Sequence, residues 1–522
     1  MKNKIKFLVL LILNQIISGN VLKCGNGLLK HKEPGIINDI PNKRVLAESD
    51  WEPIKIYVDY TQLKIDTKDY PDIFNIMKDS LDSAVHYYES LIMVKPTSIE
   101  KMPSDNFAKE CDIDNVDKNI SNFYQNYSLM LFPSFKYDDP IPNVYASAYS
   151  CLVLSSSKRP CAGRIFIENN IDFKKNNIKI FLQTILFHEI AHIFVFDPHL
   201  LSNLKMIRTV YKDDEAIPMV VSQKVLEKAK LHFNCDTLEG LALENQGGEG
   251  SAGSHWESRY MLGDFMVSNN YLENVISDIT LALFEDSGWY KVNYYTGGLF
   301  RFGKNEGCSF FERKCIEDKK SVFPKEFCDK KMEPRCLNSH LGMGECYIQE
   351  YEKGEIPSKY QYFNDEKKGG LFNVEFCPVA DLYFNADKDN SYFESNCRYG
   401  ESLNIFNHYG EVIGNKSICF ESSLVPRYSP LPYKWRSICY PIECDRKNKK
   451  IIVHVNDLSV ECPTKGGMLK KIKGFKGKIN CPEYDLICTS DIWCNEMFEC
   501  IDKKSITDEK TYSANNSVYL ME

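Results

Sequence analysis

Phe187-His188-Glu189-Ile190-Ala191-His192 is the stretch on which the reading of the whole chain turns. On a helix, positions four apart lie on one face about a turn apart, so His188 and His192 can point at one metal ion. Glu189 then falls beside that ion, where a carboxylate can accept a proton from metal-bound water. The flanks agree with this. From Ile178 to Phe194 the chain is apolar on nearly every side, with Phe181, Leu182, Ile185, Leu186, Ile190 and Ile193, which predicts a buried helix. Two histidines leave the site incomplete, because a catalytic zinc takes three protein ligands and keeps one open position.

The run Gly247-Gly248-Glu249-Gly250-Ser251-Ala252-Gly253-Ser254-His255-Trp256-Glu257 offers the third ligand. Its glycines permit tight turns and close backbone packing, which can deliver His255 to a helix distant in sequence. Alone, His255 would read as an ordinary loop histidine. Beside a two-histidine helix that lacks a ligand it reads as the third. Met266 follows, and a methionine beneath the zinc marks the metzincins, although by itself a methionine there is core packing.

The usual metzincin pattern brings the third histidine six residues after the second. Here His255 comes 63 positions after His192. An insertion of this length, closed by Gly-Gly-x-Gly-Ser-Ala-Gly-Ser-His-Trp-Glu, resembles leishmanolysin, the surface metalloprotease family of trypanosomatids with relatives across eukaryotes. Trp51-Glu52-Pro53-Ile54-Lys55-Ile56, Phe233-Asn234-Cys235-Asp236-Thr237-Leu238-Glu239-Gly240 and Phe284-Glu285-Asp286-Ser287-Gly288-Trp289-Tyr290 match the same family. So do Phe376-Cys377-Pro378-Val379-Ala380-Asp381 and Ile438-Cys439-Tyr440 through Cys444, and the likeness runs from about Trp51 to Cys488.

The resemblance implies an α+β fold. Its parts would be a metzincin-type catalytic sandwich with an HExxH helix, an inserted central subdomain and a disulfide-rich loop/β C-terminal domain. It implies one catalytic Zn2+ on His188, His192 and His255, Glu189 as general base, Met266 in the Met-turn, and a zinc metalloendopeptidase acting on protein or peptide substrates. In that fold an edge strand pairs with extended substrate. One position departs from the pattern: the family has glycine three residues after the second histidine, and this chain has Val195. A β-branched residue reaches positive φ only at real cost, so either the helix runs on or the backbone bends elsewhere, as at Asp197-Pro198. The departure raises His199 as a rival ligand, and motivates an alternative reading as a secreted adhesion or binding module with weakened catalysis.

Residues 1–19 read as a secretory signal: Lys2, Lys4 and Lys6, the apolar run Phe7 to Leu13, and small residues to Gly19. Residues 20–49 would be a short propeptide in which Cys24 either ligates the zinc as a switch or forms a disulfide. The catalytic subdomain is expected over 50–199, the central subdomain over 200–305 and the cysteine-rich domain over 306–522. Fifteen of the 20 cysteines fall from Cys308 onward, without paired Cys-x-x-Cys spacing, which predicts disulfides formed in an oxidising compartment. Sequons at Asn119, Asn126, Asn415 and Asn515 permit glycosylation on the same route. The polar stretch Ser505 to Glu522 lacks the hydrophobic tail of a glycolipid anchor, so the protein is expected to be released or held peripherally at a cell surface. A net charge of −8 and no long basic run argue against nucleic acid as a partner.

Ahead of the histidine helix the pattern predicts strands at Ile54 to Tyr60, Tyr127 to Phe132 and Gly163 to Glu168, and a helix at Ile73 to Leu91. Beyond it, helices are expected at Gln223 to Phe233 and Asn274 to Phe284, with a loop-rich region from about Arg301.

Overall fold

The strand Leu129–Lys136 sends alternate side chains to opposite faces, and both faces are apolar, as suits a strand between two packed layers. The structure, a computed structural model, describes residues 33–40, 51–100, 102–136, 144–174, 178–212, 215–246, 251–268, 275–294, 300–382, 395–398, 409–414, 416–445, 447–488, 492–494 and 500–502. The expected signal, Cys24, Gly247 to Gly250, the sequons at Asn415 and Asn515, and the tail from Ser505 lie outside the described residues.

The first strands are β1 (Gly35–Ile37), β2 (Asp39–Ile40), β3 (Glu52–Pro53), β4 (Ile56–Val58), β5 (Ile92–Val94), β6 (Ser98–Ile99), β7 (Leu129–Lys136), β8 (Ala146–Leu154) and β9 (Pro160–Glu168). Five of them form one sheet in the order β1-β8-β9-β7-β4. β4, β7 and β9 run parallel, β8 is antiparallel to β9, and β1 lies parallel to the end of β8 at Leu152–Leu154. The segment expected as a propeptide therefore contributes β1 to the sheet and β2, which pairs with β6. Leu129, Leu131, Ile165 and Ile167 face the core that holds the histidine helix. Met130, Phe132, Leu152 and Ala162 face a second layer built on Phe107 and Tyr124.

Two helices cover the first face. Pro71–Leu91 opens with proline in its first turn and buries Met77, Leu81, Ala84, Tyr88 and Leu91 along one stripe. The histidine helix, Ile178–Phe194, is apolar all round because it is wedged between that helix and the sheet. Tyr88 Oη donates to the Phe187 carbonyl at 2.7 Å, and its ring stacks on Phe187. On the sheet side, a Cβ built on Gly163 of β9 would lie 2.4 Å from Ile193 Cγ2, so only glycine lets helix and strand approach this closely. Gly163→Ala is expected to cost roughly 1–3 kcal/mol through overpacking. An unchanged urea midpoint would show that helix and strand can separate at no cost.

Several boundaries differ from expectation for local reasons. The strand expected over Ile54 to Tyr60 is only Ile56–Val58, because Asp59 Oδ1 accepts from the Thr61 amide at 2.9 Å and starts a helix there. The helix expected from Asn274 is Asp278–Asp286, because Ser277 Oγ caps the Thr280 amide at 3.1 Å. β8 and the hairpin Ile207–Lys212/Glu215–Val220 were not anticipated. The helix Gln223–Phe233 is as expected, and it ends on Asn234 in the left-handed conformation.

The C-terminal region mixes loop and strand, as expected. Six strands between Ser417 and Cys481 form a sheet over their own apolar core of Ile418, Phe420, Ile438, Tyr440, Val453 and Ile479. Among the described residues six disulfides staple this region: Cys315–Cys377, Cys328–Cys346, Cys336–Cys419, Cys397–Cys439, Cys444–Cys488 and Cys462–Cys481. Cys235–Cys308 ties the insertion to the start of the C-terminal region, and Cys111–Cys151 braces β8. Cys161 is the one free thiol among the described residues. It is buried, and burial pushes it up to about 12.

Candidate metal centre

The histidine helix sets two imidazoles on one face, and the way it ends orients one of them. Val195 makes the last regular helical bond, to the Ala191 carbonyl at 3.1 Å, and the Phe196 amide reaches the same carbonyl at 3.0 Å. Val195 keeps a negative φ, so no left-handed residue is needed here. The chain turns instead at Asp197-Pro198, where Asp197 Oδ1 caps the next short helix through the amides of His199 (2.9 Å) and Leu200 (3.0 Å). This turn aims the Phe196 carbonyl back at His192, whose Nδ1 donates to it at 2.7 Å.

His255 arrives from the other side of the site. Gly253 takes φ of 78°, a conformation open to glycine. Its amide bonds the Glu244 carbonyl at 2.7 Å, while the Glu244 amide bonds the His255 carbonyl at 2.9 Å. His255 Nδ1 donates to the Ser251 carbonyl at 3.0 Å, with Ser254 Oγ also at 3.0 Å. His188 Nδ1 donates to the Phe265 carbonyl at 2.5 Å.

Each ring therefore spends its Nδ1 hydrogen on a backbone carbonyl, which can only accept, and leaves a bare lone pair on Nε2. These three lone pairs converge. His188 Nε2 lies 3.2 Å from His255 Nε2 and 3.1 Å from His192 Nε2. Lone pairs this close repel unless a cation sits among them. Nitrogens held tetrahedrally at a zinc–nitrogen distance of about 2.0–2.1 Å lie roughly 3.3 Å apart, so the residues fit a zinc ion. Among the described residues this is the one histidine, cysteine and carboxylate group so arranged. Burial lowers His188 to about 4, and burial with the nearby His188 lowers His255 to about 3, so both rings are neutral near pH 7. His192 and His255 are fully buried, and His188 is half-buried.

Of the other residues singled out by sequence, Glu189 is buried on the same turn as His188. Met266 is buried next to Phe265, its amide bonded to Asp264 Oδ1 at 2.8 Å and its carbonyl to the Trp256 amide at 2.9 Å. His199 is exposed on the short helix Pro198–Asn203, outside the cluster. The supporting carbonyls of Phe196, Ser251 and Phe265 were not foreseen, since a backbone acceptor leaves no mark in sequence.

Asp264 was also missed, although an acid inside the apolar run Met261 to Val267 was the available signal. It is buried and accepts from Thr280 Oγ1 (2.8 Å) and the Ser277 amide (3.2 Å) as well as Met266. Trp256 Nε1 donates to the same Thr280 hydroxyl at 2.8 Å, so Asp264 ties the segment after His255 to the turn whose Phe265 carbonyl bonds His188. Burial raises Asp264 to about 6, against hydrogen bonds that pull it down. An acid held above its unfolded value costs nothing when both states are protonated, and costs most above its folded value. Stability is therefore expected to fall by roughly 3 kcal/mol from this group as pH rises from about 4 to about 6. In metal-free protein, the stability gap between wild type and Asp264→Asn should narrow over that window. A gap independent of pH would contradict the assignment.

The leishmanolysin family model matches residues 102–494. The chain is 27% identical to a leishmanolysin homolog of Crithidia fasciculata over 365 residues, covering 67% of this chain and 54% of that protein. It is 28% identical to leishmanolysin of Leishmania chagasi over 362 residues, 67% of this chain and 58% of that one. A leishmanolysin-like peptidase of Drosophila pseudoobscura pseudoobscura is 30% identical over 311 residues, 53% of this chain and 45% of that protein. The chain thus spans about half the length of the curated relatives it matches. The match takes in the histidine helix, the insertion and the stapled C-terminal sheet, and the chain belongs to the leishmanolysin family.

Proposed function

We propose that the chain is a zinc metalloendopeptidase that cleaves internal bonds of proteins or peptides. The convergence of three bare Nε2 atoms carries this reading. Zinc held by His188, His192 and His255 would supply a water of near-neutral pKa and polarise the scissile carbonyl. The chain's own part is threefold. The carbonyls of Phe196, Ser251 and Phe265 hold the ligand tautomers. Burial keeps His188 and His255 neutral, as a metal ligand must be. Glu189 takes a proton from the attacking water and passes it to the leaving amine.

We read the layout as a metzincin sandwich, with Met266 in the turn under His188 and the 200–305 segment as the inserted subdomain. The disulfides suit an oxidising compartment. We assign secretion through residues 1–19, a short propeptide with Cys24 as a possible zinc ligand, and peripheral cell-surface association. The binding-module alternative drew on Val195, but the turn at Asp197-Pro198 still aims the Phe196 carbonyl at His192, which favours catalysis.

The test is digestion of an unfolded protein by the secreted chain, with products sequenced by mass spectrometry. Internal cleavages that stop on chelation and return with zinc are expected. Cleavage unaffected by chelation would refute the reading.

A further inference from the structure

Two segments that carry no Asp or Glu, Ser422 to Ile442 and Pro463 to Pro482, hold nine Lys and Arg residues in a chain whose net charge is −8. Spread over the sequence they form no run, and the fold gathers them. Val425–Pro426 pairs with Phe475–Lys476, the Arg427 amide bonds the Gly474 carbonyl at 2.9 Å, and Lys476 Nζ donates to the Ser429 carbonyl at 3.3 Å. Gly467–Lys470 pairs with Lys478–Cys481, bringing Lys470 opposite Lys478. Lys470, Lys471, Lys473 and Lys476 are exposed, and none is ion-paired among the described residues. The acids at the margins are engaged elsewhere: Glu421 with Arg335 at 3.5 Å and Asn480 at 2.9 Å, Glu483 with Lys325 at 2.8 Å.

The same surface exposes large side chains that a soluble face would bury. Tyr428 is 94% exposed, and Tyr433, Trp435 and Met468 of the same two segments are exposed as well. Their loop is stiff: Pro426, Pro430 and Pro432 limit its backbone, and Leu431 packs on the C-terminal core. Tyr and Trp on a rigid loop tied to a lysine-rich strand match an interface where aromatic rings sit at headgroup depth and ammonium groups meet phosphates.

We propose that this face of the C-terminal sheet docks on anionic phospholipid bilayers, with Tyr428, Tyr433 and Trp435 seated at the headgroup level and the lysines on lipid phosphates. The test uses the full chain, sedimented with vesicles of phosphatidylcholine alone or mixed with phosphatidylserine, and passed over immobilised heparin. Binding to the mixed vesicles that weakens with salt is expected. Lys470→Gln/Lys471→Gln/Lys473→Gln should lower it roughly 100-fold, three charges at the strength a basic residue has beside an anionic leaflet. Tyr428→Ser/Tyr433→Ser/Trp435→Ser keeps every charge and should lower it roughly tenfold or more. Thermal unfolding of both variants at the wild-type midpoint establishes that they fold. Equal binding to both vesicle types, unchanged binding by the lysine variant, or no binding to either would overturn the proposal. Retention on heparin without vesicle binding would overturn it in favour of a sulfated glycan.

Discussion

Glu189→Gln is expected to lower the turnover number roughly 100- to 10,000-fold while zinc stays bound at the wild-type level. The substitution keeps the shape of a buried side chain on the turn of His188 and removes only its capacity to take a proton. The three nitrogens that would hold the ion, and the carbonyls behind them, are untouched. Turnover measured on a short quenched peptide, with metal content read on the same preparation, separates the two effects. A variant that cleaves at the wild-type rate would remove Glu189 from the mechanism. One that loses both zinc and activity would make it a structural support of the site.

The second large effect is expected at His255, tested against His199. His255→Ala removes one of three converging nitrogens at a fully buried position. Zinc affinity should drop by more than the roughly 10- to 100-fold that loss of an outer hydrogen-bond partner costs, and cleavage should fall with it. Excess zinc should restore the activity only in part. His199→Ala should leave affinity unchanged, because that ring is exposed on the following helix. Competition with a chromophoric chelator measures both. The opposite ranking would make His199 the ligand and His255 a packing residue.

The histidine helix was legible in sequence from Ile178 to Phe194 because burial on every side leaves an unbroken apolar run around fixed polar positions. His255 was legible through its glycines, of which Gly253 takes the positive φ that turns the chain. What the sequence could not show was backbone chemistry. The consequence of Val195 depended on where the Phe196 carbonyl would point, and that was set by a cap at Asp197 two residues later. β8 stayed hidden because Ala146, Ser147, Ala148 and Ser150 are small and carry no clear alternation, although they are buried or half-buried in the sheet. The C-terminal region was legible as disulfide-rich loop and strand, but its strand order was not, because pairings such as Cys336–Cys419 link strands far apart in sequence.

The central claim is that one zinc ion on His188, His192 and His255 drives peptide hydrolysis. Its most direct test is titration of the metal-free chain with zinc, following cleavage and bound metal in the same samples. Activity should rise in proportion to zinc and saturate at about one ion per chain, as a single three-histidine catalytic site requires. Cleavage already complete without metal, or a filled site that leaves the peptide intact, would contradict it.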